Sequence, residues 1–125
     1  MGSVVQRRSY GSVKVAWLDR LEALRRVHEA GRNLVMEHPE VIGVYLFGSL
    51  AEGRAVPGSD ADILILLGRS ERRWIDRPLE FSPYFENVGI GVDLFCYTIE
   101  EADRIPLARR ALKGGILLAG SRYEF

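Results

Sequence analysis

The chain has 125 residues, enough for one ordinary domain with a buried core, and its 47% hydrophobic and 27% charged content is typical of a globular protein. The 17 basic and 17 acidic side chains cancel, so the basic excess expected of a general nucleic-acid-binding protein is missing. A single cysteine excludes an internal disulfide and favours a reducing, cytoplasmic location. Because no apolar run approaches the roughly 20 residues that span a bilayer, we expect no membrane association.

The first third of the sequence divides into a tail and a helix. Residues 1–11 are polar and contain Gly and Ser, which predicts a loose tail before a single domain over residues 12–125. Apolar residues then recur mostly at three- and four-residue spacing over residues 13–37, as in an amphipathic helix that ends before Pro39. Gly31 weakens the middle of this helix, so a break there stays open.

The central third contains two predicted strands. Val41–Phe47 is a short β-rich apolar run, and Ser49 after it is expected to cap a short helix over residues 50–52. A loop over residues 53–59 leads to a second strand at residues 60–67, whose first residues are acidic. Over residues 71–87, prolines and aromatics mix, and the pattern does not separate helix from loop.

The last third predicts a strand, a helix and a short strand. The strand covers residues 88–97, and Thr98 is positioned to cap a helix over residues 99–113. Gly114 and Gly115 end that helix, and residues 116–119 form the final strand. The order of elements predicts an α/β or α+β domain, in which helices pack on a small mixed sheet.

Asp60 and Asp62 open the second predicted strand. Side chains two residues apart point to the same side of a strand, so both carboxylates face one space. Two like charges held that close repel unless a cation lies between them, and hard oxygen donors suit Mg²⁺. A strand entry with two solvated acids is the alternative for an isolated Asp-x-Asp. We interpret the pair as half of a metal site.

Gly48 and Ser49 close the first predicted strand immediately before a helix. Glycine lets the backbone approach a ligand closely, the amides of the first helical turn point at an anion, and the serine hydroxyl adds one donor. This turn is therefore predicted to hold phosphate.

Asp93 stands within the apolar run of residues 88–97. An ionised side chain in a core strand is costly unless it is paired or bound to metal. If the second and third strands are neighbours, Asp93 can face Asp60 and Asp62 across the ladder. Pairing with a nearby arginine is the alternative.

These elements together resemble the signature of the minimal nucleotidyltransferases of the polymerase-β superfamily. The resemblance covers residues 41–97, and the flanking helices fit only by pattern. Many relatives carry an arginine soon after the serine and an acid beyond the next glycine, whereas Glu52 and Arg54 stand here in the reversed order. The matching residues are Gly48-Ser49, Gly53, Ser59-Asp60-Ala61-Asp62 and Asp93.

The resemblance implies the polymerase-β-like nucleotidyltransferase fold and transfer of a nucleoside monophosphate, AMP from ATP, to an acceptor hydroxyl with release of pyrophosphate. Asp60, Asp62 and Asp93 would hold two Mg²⁺ ions when the nucleotide is bound, and Asp93 would help to deprotonate the acceptor. The nucleotide and its phosphates would lie against Gly48, Ser49 and Ser59.

Two other functions stay open. Some minimal nucleotidyltransferases are paired with a small helical HEPN-type protein in toxin–antitoxin systems and add adenylate to it, so the acceptor is expected on a partner protein. An antitoxin-like binding module with weak or no catalysis is the alternative. Transfer to a small molecule such as an aminoglycoside would need a substrate-binding domain, for which the length leaves little room.

His28 and His38 are expected to be surface and turn residues, and Cys96 a small core residue.

Overall fold

The computed structural model describes residues 4–10 and 13–124. In this part of the chain, strands and helices are interspersed, and 3₁₀ segments at Trp74–Asp76 and Ser82–Phe85 lie on either side of the third helix. The elements are β1 (Val5–Tyr10), β2 (Val13–Leu18), α1 (Arg20–Glu37), β3 (Val41–Phe47), α2 (Gly48–Glu52), β4 (Ala61–Leu67), α3 (Arg77–Phe81), β5 (Val92–Thr98), α4 (Ile99–Ala102), α5 (Pro106–Gly114) and β6 (Ile116–Gly120).

A four-stranded mixed sheet forms the centre of the domain. Its strand order is β5-β4-β3-β6, and β3 pairs in the antiparallel sense with both β4 and β6. The pairing of β4 with β5 is parallel, as expected for a crossover that passes through α3. The predicted small mixed sheet packed with helices is therefore confirmed.

Helices cover both faces of this sheet. On one face, Val27 and Leu34 of α1 pack with Ile63 and Ile65 of β4, and all four side chains are fully buried. On the other face, the buried residues of α4 and α5 pack with the alternate positions of β4, including Leu64. Burying one such side chain stabilises a fold by about 1.5–3 kcal/mol, so these two layers hold the sheet in place.

The helix α1 is continuous and shorter than predicted. Its N-cap is Asp19, whose carboxylate accepts a hydrogen bond from the Glu22 amide at 3.1 Å. Gly31 does not break it, and a Cβ atom at that position would lie 3.3 Å from the Leu118 Cβ atom of β6. The glycine therefore lets the helix approach the sheet closely.

The N-terminal prediction was wrong over most of its length. Val5–Tyr10, expected within a loose tail, pairs in the antiparallel sense with Val13–Leu18, and residues 13–18 are strand rather than helix. Val4 is fully buried, and its carbonyl accepts a hydrogen bond from the Asp19 amide at 2.7 Å. The first residues of this segment, 13–15, alternate apolar and polar side chains, and this period-two pattern is typical of a strand rather than a helix. Residues 1–3 and 11 of the predicted tail, and residue 12 of the predicted domain, lie outside the described residues.

Three further boundaries differ from the predictions. The helix over residues 99–113 is two helices, because Pro106 cannot continue α4 and starts α5 after an extended Ile105. The third strand begins at Val92 rather than at residue 88. Phe47, rather than Ser49, occupies the N-cap position of α2. The predicted cap at Thr98 is confirmed, since Thr98 and Glu101 form a capping box.

Among the helices of the described chain, none is long and apolar enough to cross a membrane.

Candidate active site

Three strand ends meet at one end of the sheet. Because β3 runs opposite to β4, and β4 runs with β5, the last residue of β3 lies beside the first residues of the other two strands. Phe47 pairs with Asp62, and Asp62 pairs with Asp93. The turn at Gly48 and the aspartates therefore occupy neighbouring positions.

The three aspartates point to the same side of the sheet. Asp62 alternates with Leu64 on β4, and Asp93 alternates with Phe95 on β5; both apolar residues belong to the layer under α4 and α5. Asp60 precedes Asp62 by two residues and shares its side. The structure thus brings Asp93 to the side on which the sequence hypothesis required it. Asp93 is exposed near the start of an edge strand rather than buried in mid-strand, so the expected desolvation cost does not apply.

Electrostatic coupling between the aspartates is evident at Asp62. Its partial burial is the largest cause of a raised pKa, and the charges of Asp93 and Asp60 raise the pKa further. Asp62 and the two carboxylates whose charges disfavour its ionised form are a set of hard oxygen donors that fits a divalent cation such as Mg²⁺. Asp60, Asp62 and Asp93 are the residues that would hold it.

Two glycines lie directly against these carboxylates. Gly48 adopts a left-handed φ of 77°, and a Cβ atom there would overlap the Oδ2 atom of Asp62. A Cβ atom at Gly91 would in the same way overlap the Oδ1 atom of Asp60. Gly91 was missed by the sequence analysis, although its place two residues before Asp93 is a signal that could have found it.

The short helix α2 is fixed by a second residue that the sequence analysis missed. Arg20 at the start of α1 donates hydrogen bonds to the Leu50 carbonyl at 3.2 Å and the Ala51 carbonyl at 3.1 Å. Gly53 closes the helix in a left-handed conformation with φ 77°, and its amide donates to the Ser49 carbonyl. Ser49 is half-buried, next to Gly48.

Ser59 shapes the loop that leads to the aspartates. Its hydroxyl accepts a hydrogen bond from the Val56 amide at 3.0 Å, and its own amide donates to the Val56 carbonyl at 2.9 Å. In this arrangement the Ser59 hydroxyl stabilises the turn before Asp60 through its hydrogen bond with the backbone.

A separate group of acids surrounds His38 at the opposite end of β3. The ligand atoms of His38, Glu40 and Glu80 all lie within 4.8 Å of one another, and across the described residues the three aspartates do not come that close as a set. His38 Nδ1 is 2.9 Å from Glu40 Oε1, and its Nε2 is 3.1 Å from the Tyr84 hydroxyl. These contacts make His38 part of a network that joins the end of α1 to the segment around α3, away from the aspartates.

Comparison with known proteins shows similarity in both sequence and structure. The family model described as "Polymerase beta, Nucleotidyltransferase" matches residues 30–124. A similar structure is that of a "putative nucleotidyltransferase" from Sulfolobus solfataricus, with a TM-score of 0.62 and 26% sequence identity over 85% of this chain and 87% of that one. With its mixed sheet, its Gly-Ser turn and its aspartates at the expected positions, the chain belongs to the polymerase-β-like nucleotidyltransferases, and within them to the minimal type.

Proposed function

We propose that the protein is a divalent-metal-dependent enzyme that transfers AMP from ATP to a hydroxyl group of a partner protein and releases pyrophosphate. The observation that supports this function best is the common side of the sheet shared by Asp60, Asp62 and Asp93, next to the turn at Gly48. A purely structural role would not explain three mutually repelling carboxylates, since such a cluster costs stability.

In the proposed reaction, Asp60, Asp62 and Asp93 would hold Mg²⁺, which when bound would stabilise negative charge on the attacking and leaving oxygens of an in-line displacement. Gly48 keeps the backbone close to Asp62, so the phosphates can pass beside the carboxylates. Ser49 offers a hydroxyl donor to them. Asp93 is exposed on the edge strand, where an acceptor can approach from solvent.

The bonds of the proposed step balance within the substrates. The acceptor oxygen forms a bond to the α-phosphorus, and the bond from the α-phosphorus to the oxygen that bridges to the β-phosphorus breaks. Asp93 takes the proton of the acceptor hydroxyl, and pyrophosphate leaves with the electron pair of the broken bond.

A protein acceptor is supported by the apolar surface of the α3 region. Ile75 and Leu79 are exposed by 65% and 74%, and they lie one helical turn apart. Trp74 beside them is half-exposed and stacks on Tyr97. Exposed apolar side chains grouped in this way are typical of protein-binding surfaces. The same observation supports the second candidate, an antitoxin-like module that binds a HEPN-type partner with weak or no catalysis.

The test combines nucleotide binding with an acceptor assay. ATP binding is measured by calorimetry with Mg²⁺ for the wild type and for the double variant Asp60→Ala with Asp62→Ala. We expect the double variant to lose at least about tenfold in affinity, since the metal and its phosphate contacts disappear together. Candidate partner proteins are then incubated with ATP and Mg²⁺, and intact mass is read for the gain of one adenylate.

A matched control removes two acids far from the site. Glu29→Ala with Asp103→Ala deletes two exposed carboxylates from surface ion pairs, and ATP binding should not change. Equal ATP binding by the wild type and the aspartate double variant would refute the site. Partner binding that survives in the double variant, without any adenylated product from the wild type, would favour the binding module.

A further inference from the structure

A cleft of about 310 Å³ starts at Gly48 and runs between α2 and α5. The lining residues of each helix are three and four positions apart, so one face of α2 lies opposite one face of α5 across the cleft. The facing residues are Gly48, Ala51 and Glu52 on α2, and Leu107, Arg110 and Ala111 on α5. Gly48 also lies against Asp62, so the cleft begins next to the aspartates.

Arg110 is the basic residue that lines this cleft, and its charge is unused. Within the described part of the chain it has no hydrogen-bond or ion-pair partner, and it is exposed. Its neighbours differ: Arg109 is paired with Asp103 at 2.7 Å, and Arg122 donates to the Leu112 and Gly115 carbonyls. A guanidinium that faces a cleft without an ion-pair partner of its own is suited to an anionic ligand.

The α2 side of the cleft does not supply such a charge. Residues 48–52 include no lysine or arginine, and Arg54 just beyond them is paired with Glu52 at 2.6 Å. A triphosphate that passes Gly48 would therefore meet the carboxylate of Glu52 on α2. The positive charge that can balance the phosphates comes from Arg110 on α5.

We propose that Arg110 binds the terminal phosphates of the nucleotide and of the pyrophosphate that leaves, an inference that rests on the proposed nucleotidyl transfer. Gly114 and Gly115, which precede β6, line the cleft, and β6 lies on the side of β3 away from β5 and Asp93. With the α-phosphate at the aspartates, the β- and γ-phosphates would therefore extend past Gly48 into the cleft. Arg110 reaches them from α5 with a fork of N–H donors that matches phosphate oxygens. It acts as a positioning residue for the triphosphate and takes no proton.

The test compares ligands that differ only in their terminal phosphates. Binding of ATP, AMP and inorganic pyrophosphate is measured with Mg²⁺ for the wild type, Arg110→Ala, Arg110→Lys and Arg109→Ala. We expect Arg110→Ala to weaken ATP and pyrophosphate by roughly tenfold or more, with AMP unchanged and partial recovery in Arg110→Lys. Arg109→Ala is the matched control, because it removes a neighbouring arginine that does not line the cleft, and its ATP affinity should equal that of the wild type.

The outcomes separate this inference from the proposed function. If Arg110→Ala binds ATP as the wild type does, while the double variant at Asp60 and Asp62 does not, the role of Arg110 is overturned and the transferase proposal stands. An equal loss of AMP and ATP in Arg110→Ala would also overturn it, since the contact would then involve the nucleoside. A wild type that binds neither ATP nor pyrophosphate would overturn both. Arg110 is exposed, so the melting temperature of Arg110→Ala should match that of the wild type, which excludes misfolding as the cause.

Discussion

Gly48 and Asp62 are in such close contact that position 48 has no room for a side chain. A Cβ atom at Gly48 would lie much closer to the Asp62 carboxylate than 3.0 Å, a separation below which Cβ contacts are essentially never found in proteins. Its φ of 77° adds a second reason for glycine, because L side chains rarely adopt that conformation. The backbone that turns out of β3 is therefore seated directly on a carboxylate of the candidate site.

Gly48→Ala should abolish nucleotide binding while the domain still folds. The new methyl group would displace the Asp62 carboxylate, and the left-handed backbone would cost about 1–2 kcal/mol of stability. Gly58→Ala is the matched control, since Gly58 has φ 95° and nothing within 4 Å of its Cβ position. It should show the same stability loss in thermal unfolding with unchanged ATP binding. Loss of binding in both variants would contradict a specific role for the contact.

Gly91→Ala should reduce ATP binding through Asp60. The added Cβ atom would overlap Asp60 Oδ1, without a left-handed φ to add backbone strain. Gly68→Ala serves as the comparison, because its nearest neighbour would be an ordinary 3.8 Å contact with the Glu40 carbonyl. Calorimetric titration with ATP and Mg²⁺ measures the effect, and identical affinities for the two variants would refute the prediction.

Asp62→Asn should stabilise the folded domain in EDTA at neutral pH and eliminate transfer. Burial and the charges of Asp93 and Asp60 raise the pKa of Asp62, so its ionised form destabilises the native state relative to the unfolded chain. This destabilisation develops as the pH rises above the ordinary value of 3.8, and the advantage of asparagine should shrink toward that pH. Thermal unfolding of both proteins between pH 4 and 7 is the measurement. A lower melting temperature for Asp62→Asn at pH 7 would count against the repulsion.

Glu101→Gln should destabilise the fold, because Glu101 is the counter-charge of the buried Arg77. Arg77 is 5% exposed and contacts Glu101 Oε1 at 2.5 Å. Leaving a buried guanidinium without its carboxylate costs about 3 kcal/mol. Asp103→Asn, which breaks an exposed pair with Arg109, should cost less than about 1 kcal/mol. Denaturant unfolding of the two variants gives the comparison, and equal losses would refute it.

The same pair gives a pH dependence of opposite sign to that of Asp62. Hydrogen bonds from Arg77 lower the pKa of Glu101 below its ordinary value of 4.5. Its stabilisation is complete above that value and is lost as the pH falls through the folded-state pKa. The stability gap between the wild type and Glu101→Gln should therefore be constant from pH 5 to 7 and narrow under more acidic conditions. A gap that widens on acidification would contradict this assignment.

Sequence reasoning was most successful where the structural signal is local. The strands at Val41–Phe47 and 60–67, the cap at Thr98 and the final strand were predicted within one residue, because apolar runs and capping chemistry are local signals. It failed at residues 5–10 and 13–18, because two short strands stabilise each other there and the brief alternation at the start of the second is a weak signal by itself. The role of Arg20 could not be found from local patterns, since its contact with α2 joins residues that are 30 apart in the chain.

The sequence by itself determined the family of this protein, because the aspartates, the Gly-Ser turn and their spacing can be recognised without the fold. Only the tertiary structure decided that Asp93 shares a side with Asp62, that Gly91 backs onto Asp60, and that Arg110 faces Gly48 across a cleft. Each of these relationships depends on strand register and helix placement, and both are set by the packing of distant segments rather than by local sequence.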